Sequence, residues 1–111
     1  MYRIVFEHHP KPGQEKEFVA AWQRGSDKIQ QYPGARGTKL FRSLSNTGVL
    51  YAMAEWDSKT ARDDAMAEIA KRDDAESMLH AHEKFLESHV SIVSAELIVE
   101  VEAVEGFSTQ I

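Results

Sequence analysis

The run from Val49 to Trp56 limits the fold more than any other part of the chain. Val49, Tyr51 and Met53 alternate with Leu50, Ala52 and Ala54, so an extended strand here is apolar on both faces. An antiparallel strand with one wet face carries polar side chains on that face. This one therefore needs cover on two sides. A single domain the size of this chain, 111 residues, buries only about two thirds of the surface of its extended chain. Its own helices can cover one face, and a second copy of the chain is the simplest cover for the other. The same limit bears on any ligand cavity: one small domain has little core to spare for a pocket, whereas two packed copies have more.

Periodicity supplies the remaining elements. Tyr2 to His8 alternates as a strand, with Tyr2, Ile4, Phe6 and His8 on one side and Arg3, Val5, Glu7 and His9 on the other. Pro10-Lys11-Pro12-Gly13 ends it, because proline cannot continue a ladder and glycine permits a tight turn. Gln14 to Gln31 reads as a helix whose apolar face is Phe18, Trp22, Gly25 and Ile29. Tyr32-Pro33-Gly34 stops it. Gly37 to Ser43 and Val49 to Trp56 form a hairpin around Leu44-Ser45-Asn46-Thr47-Gly48. Asp57-Ser58 then offers side-chain oxygens to cap a helix lined by Ala61, Ala65, Met66 and Ile69. After Lys71-Arg72-Asp73-Asp74, with Asp73 or Asp74 as cap, a further helix is expected through about Glu87. Its stripe is Met78, His82 and Phe85, with His89 one turn on. Ser91 to Val101 alternates again as a strand. The order β-α-β-β-α-(α)-β is the split βαβ arrangement of a ferredoxin-like α+β sandwich. One domain is expected over 1–104, with a C-terminal tail over 105–111.

Composition excludes several classes of function. The chain has no cysteine, which removes disulfides, thiol nucleophiles and thiolate metal sites. A net charge of −5 argues against a nucleic-acid partner, which needs a concentrated basic patch. No apolar run approaches the ~20 residues of a membrane span. The opening residues lack a secretory pattern, so a cytoplasmic location is expected. Phosphate loops and nucleophile elbows are missing from the sequence.

Among side chains able to do chemistry, His82 stands out between Met78 and Phe85 at helical spacing. An imidazole there suits a base near neutrality, although a packing histidine explains the same pattern. His80 points elsewhere on the helix, and His8 and His9 project to opposite strand faces. None of these pairs can chelate one ion, no zinc spacing occurs, and no metal is expected. His9 can meet Glu7 on one strand face as an acid–base pair or as an ordinary exposed pair. Arg42 can hold a ligand carboxylate or phenolate, or equally a dimer salt bridge. Tyr51 and Trp56 are core residues or pocket walls. The methionines, Met78 included, fill core or wall an aromatic site.

The chain resembles the antibiotic biosynthesis monooxygenase family of the dimeric α+β barrel superfamily. The resemblance rests on Lys11-Pro12-Gly13 before a helix with Phe18 and Trp22, on Tyr32-Pro33-Gly34 with Gly37, Leu40 and Arg42, and on Tyr51 through Glu55-Trp56 and Asp57-Ser58. It covers roughly residues 2–101. It implies a homodimer and a monooxygenase that uses no cofactor. An electron-rich phenol or hydroquinone is deprotonated in a dry cavity and reduces O₂ directly. On that basis His82 is expected as base, with Glu7 and Arg42 as polar anchors. Trp22, Tyr51, Trp56, Met78 and Phe85 would line a site for a small aromatic molecule. Haem-degrading relatives use a first-strand Asn and a Trp in the helix after the third strand. This chain has Phe6-Glu7-His8-His9 and no such Trp, which disfavours haem degradation. The quinol-oxidising branch often carries a His in that helix, where Ala65-Met66 stand here. The alternative reading is therefore a non-catalytic homodimeric module that binds a small molecule or serves in stress.

Overall fold

The computed structural model describes residues 1–104; the expected tail over 105–111 lies outside them. Four strands, β1 (Tyr2–Pro10), β2 (Ala35–Arg42), β3 (Leu50–Trp56) and β4 (Leu86–Glu96), form one antiparallel sheet in the order β2-β3-β1-β4. Helices α1 (Glu15–Ile29), α2 (Lys59–Ala70) and α3 (Ala75–His80) connect them, and a 3₁₀ segment, Ala81–Phe85, leads into β4. This is the ferredoxin-like α+β arrangement the periodicity predicts.

Strand parity divides the sheet. β1 places Tyr2, Ile4, Phe6 and His8 beside Trp56, Ala54, Ala52 and Leu50 of β3, and these residues face the helices. Tyr2, Ile4 and Trp56 pack with Ala65 of α2, while Phe18 of α1 packs with Leu50 and Leu86. The opposite parity puts Val5, Met53, Tyr51, Phe41 and Val93 on the face without helices. There Phe41, Val90 and Val93 remain 46%, 52% and 41% exposed.

Local signals hold the helices in place. Acidic Glu15 and Glu17 sit in the first turn of α1 and Lys28 in its last, each favourable to the helix dipole. The Ser58 side chain accepts a hydrogen bond from the Ala61 amide at 3.0 Å and caps α2. Gly25 allows α1 to lie directly on α3: a Cβ there would come within 2.5 Å of the Met78 carbonyl oxygen.

Three sequence expectations are corrected. The helix expected to run through about Glu87 ends at His80 and tightens into the 3₁₀ segment. Asp74 lies at its start without a side-chain capping bond, because its carboxylate is taken by Arg72 at 2.7 Å. The final strand begins at Leu86 and stops at Glu96, five residues earlier at each end than its pattern suggests. His89 therefore lies on β4 and not on a helix.

Candidate active site

A cavity of about 280 Å³ lies between the sheet and the helices, close to the lower end of the ~300–1,000 Å³ usual for ligand pockets. Its floor is the helix-facing parity of β1 and β3, chiefly Ile4, Phe6, Ala52 and Ala54. Trp22 and Ile29 of α1, Met66 of α2 and Met78 of α3 form the walls. Trp56 stands at one end of the floor, opposite Tyr2 in register, and His8 at the other, opposite Leu50. Away from the histidines its polar lining is Ser26 and Gln30, Thr38, whose hydroxyl donates to the Met53 carbonyl at 2.9 Å, and Arg62, whose guanidinium lies 3.8 Å from the Asp63 carboxylate.

At the His8 end, three imidazoles converge from three elements. His8 of β1 pairs in register with His89 of β4, and His82 reaches across from the 3₁₀ segment. The His8 ring lies 5.7 Å from His82 edge-on, 5.9 Å from His89 in a near-parallel stack and 5.1 Å from Phe18, centroid to centroid. One ring nitrogen from each of the three histidines lies within 4.8 Å of the other two. His8 is only 3% exposed, and its Nδ1 is buried without a hydrogen-bond partner. Glu83 flanks the group: one carboxylate oxygen is 3.4 Å from His89 Nε2, and the other hydrogen-bonds His80 Nδ1.

Burial, reinforced by the neighbouring His82 and His89, pushes the His8 imidazole down to about 4. His82 is also lowered, mainly by burial, with Glu83 acting against the shift and His89 and His80 adding to it. Both rings are thus held neutral at pH 7. A neutral imidazole has a lone pair, so it can accept a phenolic hydrogen bond or proton, or bind a metal ion.

The structure brings some of the expected site residues together and separates others. Trp22, Trp56, Met78 and His82 line the cavity. Glu7 does not: strand parity turns it to the helix-free face, where it hydrogen-bonds His9 at 2.8 Å. Tyr51 is its register partner there, for the same reason. Arg42 reaches outward and makes a two-pronged pair with Glu15, 3.2 and 3.0 Å. Phe85 packs against the Phe18–Leu50–Leu86 cluster beneath Lys84. His8, His82 and His89 converge although neither His80–His82 nor His8–His9 can, since their proximity arises between elements rather than within one.

Sequence reasoning missed His8, His89, Glu83 and Arg62. Arg62 had a readable signal, because it precedes Met66 by four residues and Ile69 by seven on the buried face of α2. His89 has none, because its spacing from Met78, His82 and Phe85 fits a helix and it lies on β4.

A profile described as "Antibiotic biosynthesis monooxygenase" matches residues 1–84. No curated protein matches the chain significantly. Among solved structures, a NIPSNAP domain protein from Burkholderia xenovorans superposes with a TM-score of 0.72 at 16% identity, covering 93% of this chain and 100% of that one. Rv0793 from Mycobacterium tuberculosis gives 0.71 at 14% identity, covering 91% and 98%. A variant of SnoaB, a cofactor-independent oxygenase from Streptomyces nogalater, gives 0.68 at 17% identity, covering 89% and 97%. At such identities the superpositions speak for the fold. The profile spans the strands and helices that floor and wall the cavity, up to two residues past His82, and by it the chain belongs to the antibiotic biosynthesis monooxygenase family.

Proposed function

We propose that the chain is a homodimeric, cofactor-independent monooxygenase acting on a small hydroquinone-like aromatic in the cavity between sheet and helices. The observation that carries this reading is an aromatic-walled, largely apolar cavity ending in two imidazoles held neutral at pH 7. SnoaB, a cofactor-independent oxygenase of the same fold, adds support. A cavity that side chains do not pack shut, with bases inside it, also favours catalysis over the module that only binds.

In this reading the substrate ring stacks among Trp22, Trp56 and Phe6, with its hydroxyl toward His82. His82 accepts the phenolic proton, and His8 hydrogen-bonds the same oxygen. His82 is the better proton acceptor, because the deeper His8 is driven so far down that it holds a proton poorly. The ring supplies the electrons to O₂. One oxygen atom enters a ring carbon, the other leaves as water, and the hydroquinone becomes a hydroxyquinone. Apolar walls exclude bulk water from the reduced oxygen intermediate.

The helix-free face supports assembly. Val5, Met53, Tyr51, Phe41, Val90 and Val93 form an apolar band there, and a second copy covers it with the same band. Oxygen uptake by the chelator-treated protein with a panel of one- and two-ring hydroquinones tests the activity. Uptake above the buffer rate is expected for at least one member, and rates equal to buffer across the panel refute the reading.

A further inference from the structure

We propose that His8, His82 and His89 form a binding site for a divalent transition-metal ion at one end of the cavity. The inference rests on donor geometry and does not depend on the monooxygenase reading.

Three neutral-capable nitrogen donors, one from each ring, already lie within 4.8 Å of one another. Metal–imidazole bonds of about 2.0–2.1 Å in a tetrahedral set bring nitrogens to about 3.3 Å, so closure needs side-chain rotation of roughly an ångström. The scaffold suits that motion. His8 is fixed by its packing against Phe6 and Phe18 and by its place between β3 and β4. His89 is the exposed member, free to turn about its χ angles and open to entry from solvent. His82 sits on a short 3₁₀ segment, whose hydrogen bonds are weaker than those of an α-helix and yield more readily to local adjustment.

A second observation points to a ligand independently. His8 Nδ1 is buried and has no partner, although buried polar atoms are nearly always satisfied. Coordination of the ion through Nδ1 would supply the partner that this atom lacks. Glu83 adds the outer-shell carboxylate that ligating histidines usually have: it contacts His89 Nε2 and His80 Nδ1, orienting one ring and offsetting the cation's charge.

The donor set selects the ion. Imidazole nitrogens suit Zn²⁺, Co²⁺, Ni²⁺, Cu²⁺ or Fe²⁺, and give no preference for Mg²⁺ or Ca²⁺, which take oxygen ligands. Three histidines leave at least one coordination position for water or another small ligand, as in open rather than closed metal sites. Metal and substrate proton would compete for the same lone pairs, so loading the site would suppress a reaction that uses His82 as base. The competing explanation is that the three rings serve only as flat packing units.

Titration of the chelator-treated full chain with Co²⁺, followed by its visible d–d absorption, separates the two. The proposal predicts saturation at about one equivalent per chain. His82→Ala and His89→Ala should each weaken binding at least tenfold, while His9→Ala, on the other sheet face, should leave it within twofold. No absorption change at one equivalent, or binding that survives both His82→Ala and His89→Ala, overturns it. A readout that needs no variant is the ring ¹⁵N spectrum with Zn²⁺: signals of three of the five histidines should move together, and unmoved signals overturn the site. Metal binding without oxygen uptake would remove only the monooxygenase reading, and uptake without metal binding only the metal site.

Discussion

The two faces of one sheet are built from the same strands by alternating residues, yet they differ in what covers them. On the helix side, Ile4, Ala54 and Trp56 meet α1 and α2 with space left over, and that space ends in histidines. On the other side, Val5, Met53, Tyr51 and Phe41 present an apolar surface that no helix among the described residues covers. Alanines of β3 between bulkier residues leave room for a cavity on the helix side, whereas exposed Phe41, Val90 and Val93 on the other side make a surface that a second layer can cover. The proposed function gives chemistry to the first face and association to the second.

The strongest challenge to this division is Trp56→Ala. Trp56 is 1% exposed, and truncating a buried Trp costs about 3–5 kcal/mol, read as a lower urea midpoint. A loss below about 1 kcal/mol would mean that the helix-side layer is not the core.

Acid should weaken the helix side next. His8 is pushed down to about 4 when folded and titrates near 6.5 when unfolded. Between those values the unfolded chain binds the extra proton, so stability is lost as pH falls from about 6.5 and fully lost below about 4. For this one group the loss by pH 5 is about 2 kcal/mol. Urea unfolding of the chelator-treated chain at pH 7.5 and pH 5, compared with His8→Asn, checks it; equal slopes in both proteins contradict the assignment.

On the open face the effect should appear in association rather than folding. Tyr51→Lys places a charge in the middle of the apolar band. The hydrodynamic mass is expected to fall from twice that of the chain to that of one chain at micromolar concentration, with far-ultraviolet circular dichroism unchanged. A wild-type monomer under those conditions would break the comparison. The smallest effect is reserved for Arg42→Ala. Its pair with Glu15 is exposed, and such pairs contribute little, so the thermal midpoint should not change measurably.

These contrasts show how far the sequence could be read. Strand parity was legible: Glu7 and His8 necessarily lie on opposite faces, as do Tyr51 and Ala52. Parity does not say which set the helices cover, so the sequence alone does not show that Glu7 and Tyr51 lie on the face away from the cavity. Helices with several turns and clear stops, such as α1, could be read to within a residue or two. The segment after Met78 could not. Its Met78–His82–Phe85 spacing fits an α-helix, but the chain tightens at Ala81 and enters β4 at Leu86. That five-residue difference places His89 beside His8 instead of on a helix. The histidine cluster depends on strand register, a tertiary property that no spacing within one element encodes.

The claim that the helix-side cavity performs the chemistry is tested most directly by oxygen uptake with the best hydroquinone of the panel, measured for the wild-type chain and for His82→Gln. The substitution keeps the size and hydrogen bonding of the side chain but removes the base. The account predicts uptake above the buffer rate in the wild type and at least a tenfold loss in the variant. Wild-type rates no higher than buffer, or equal rates in the two proteins, would contradict it.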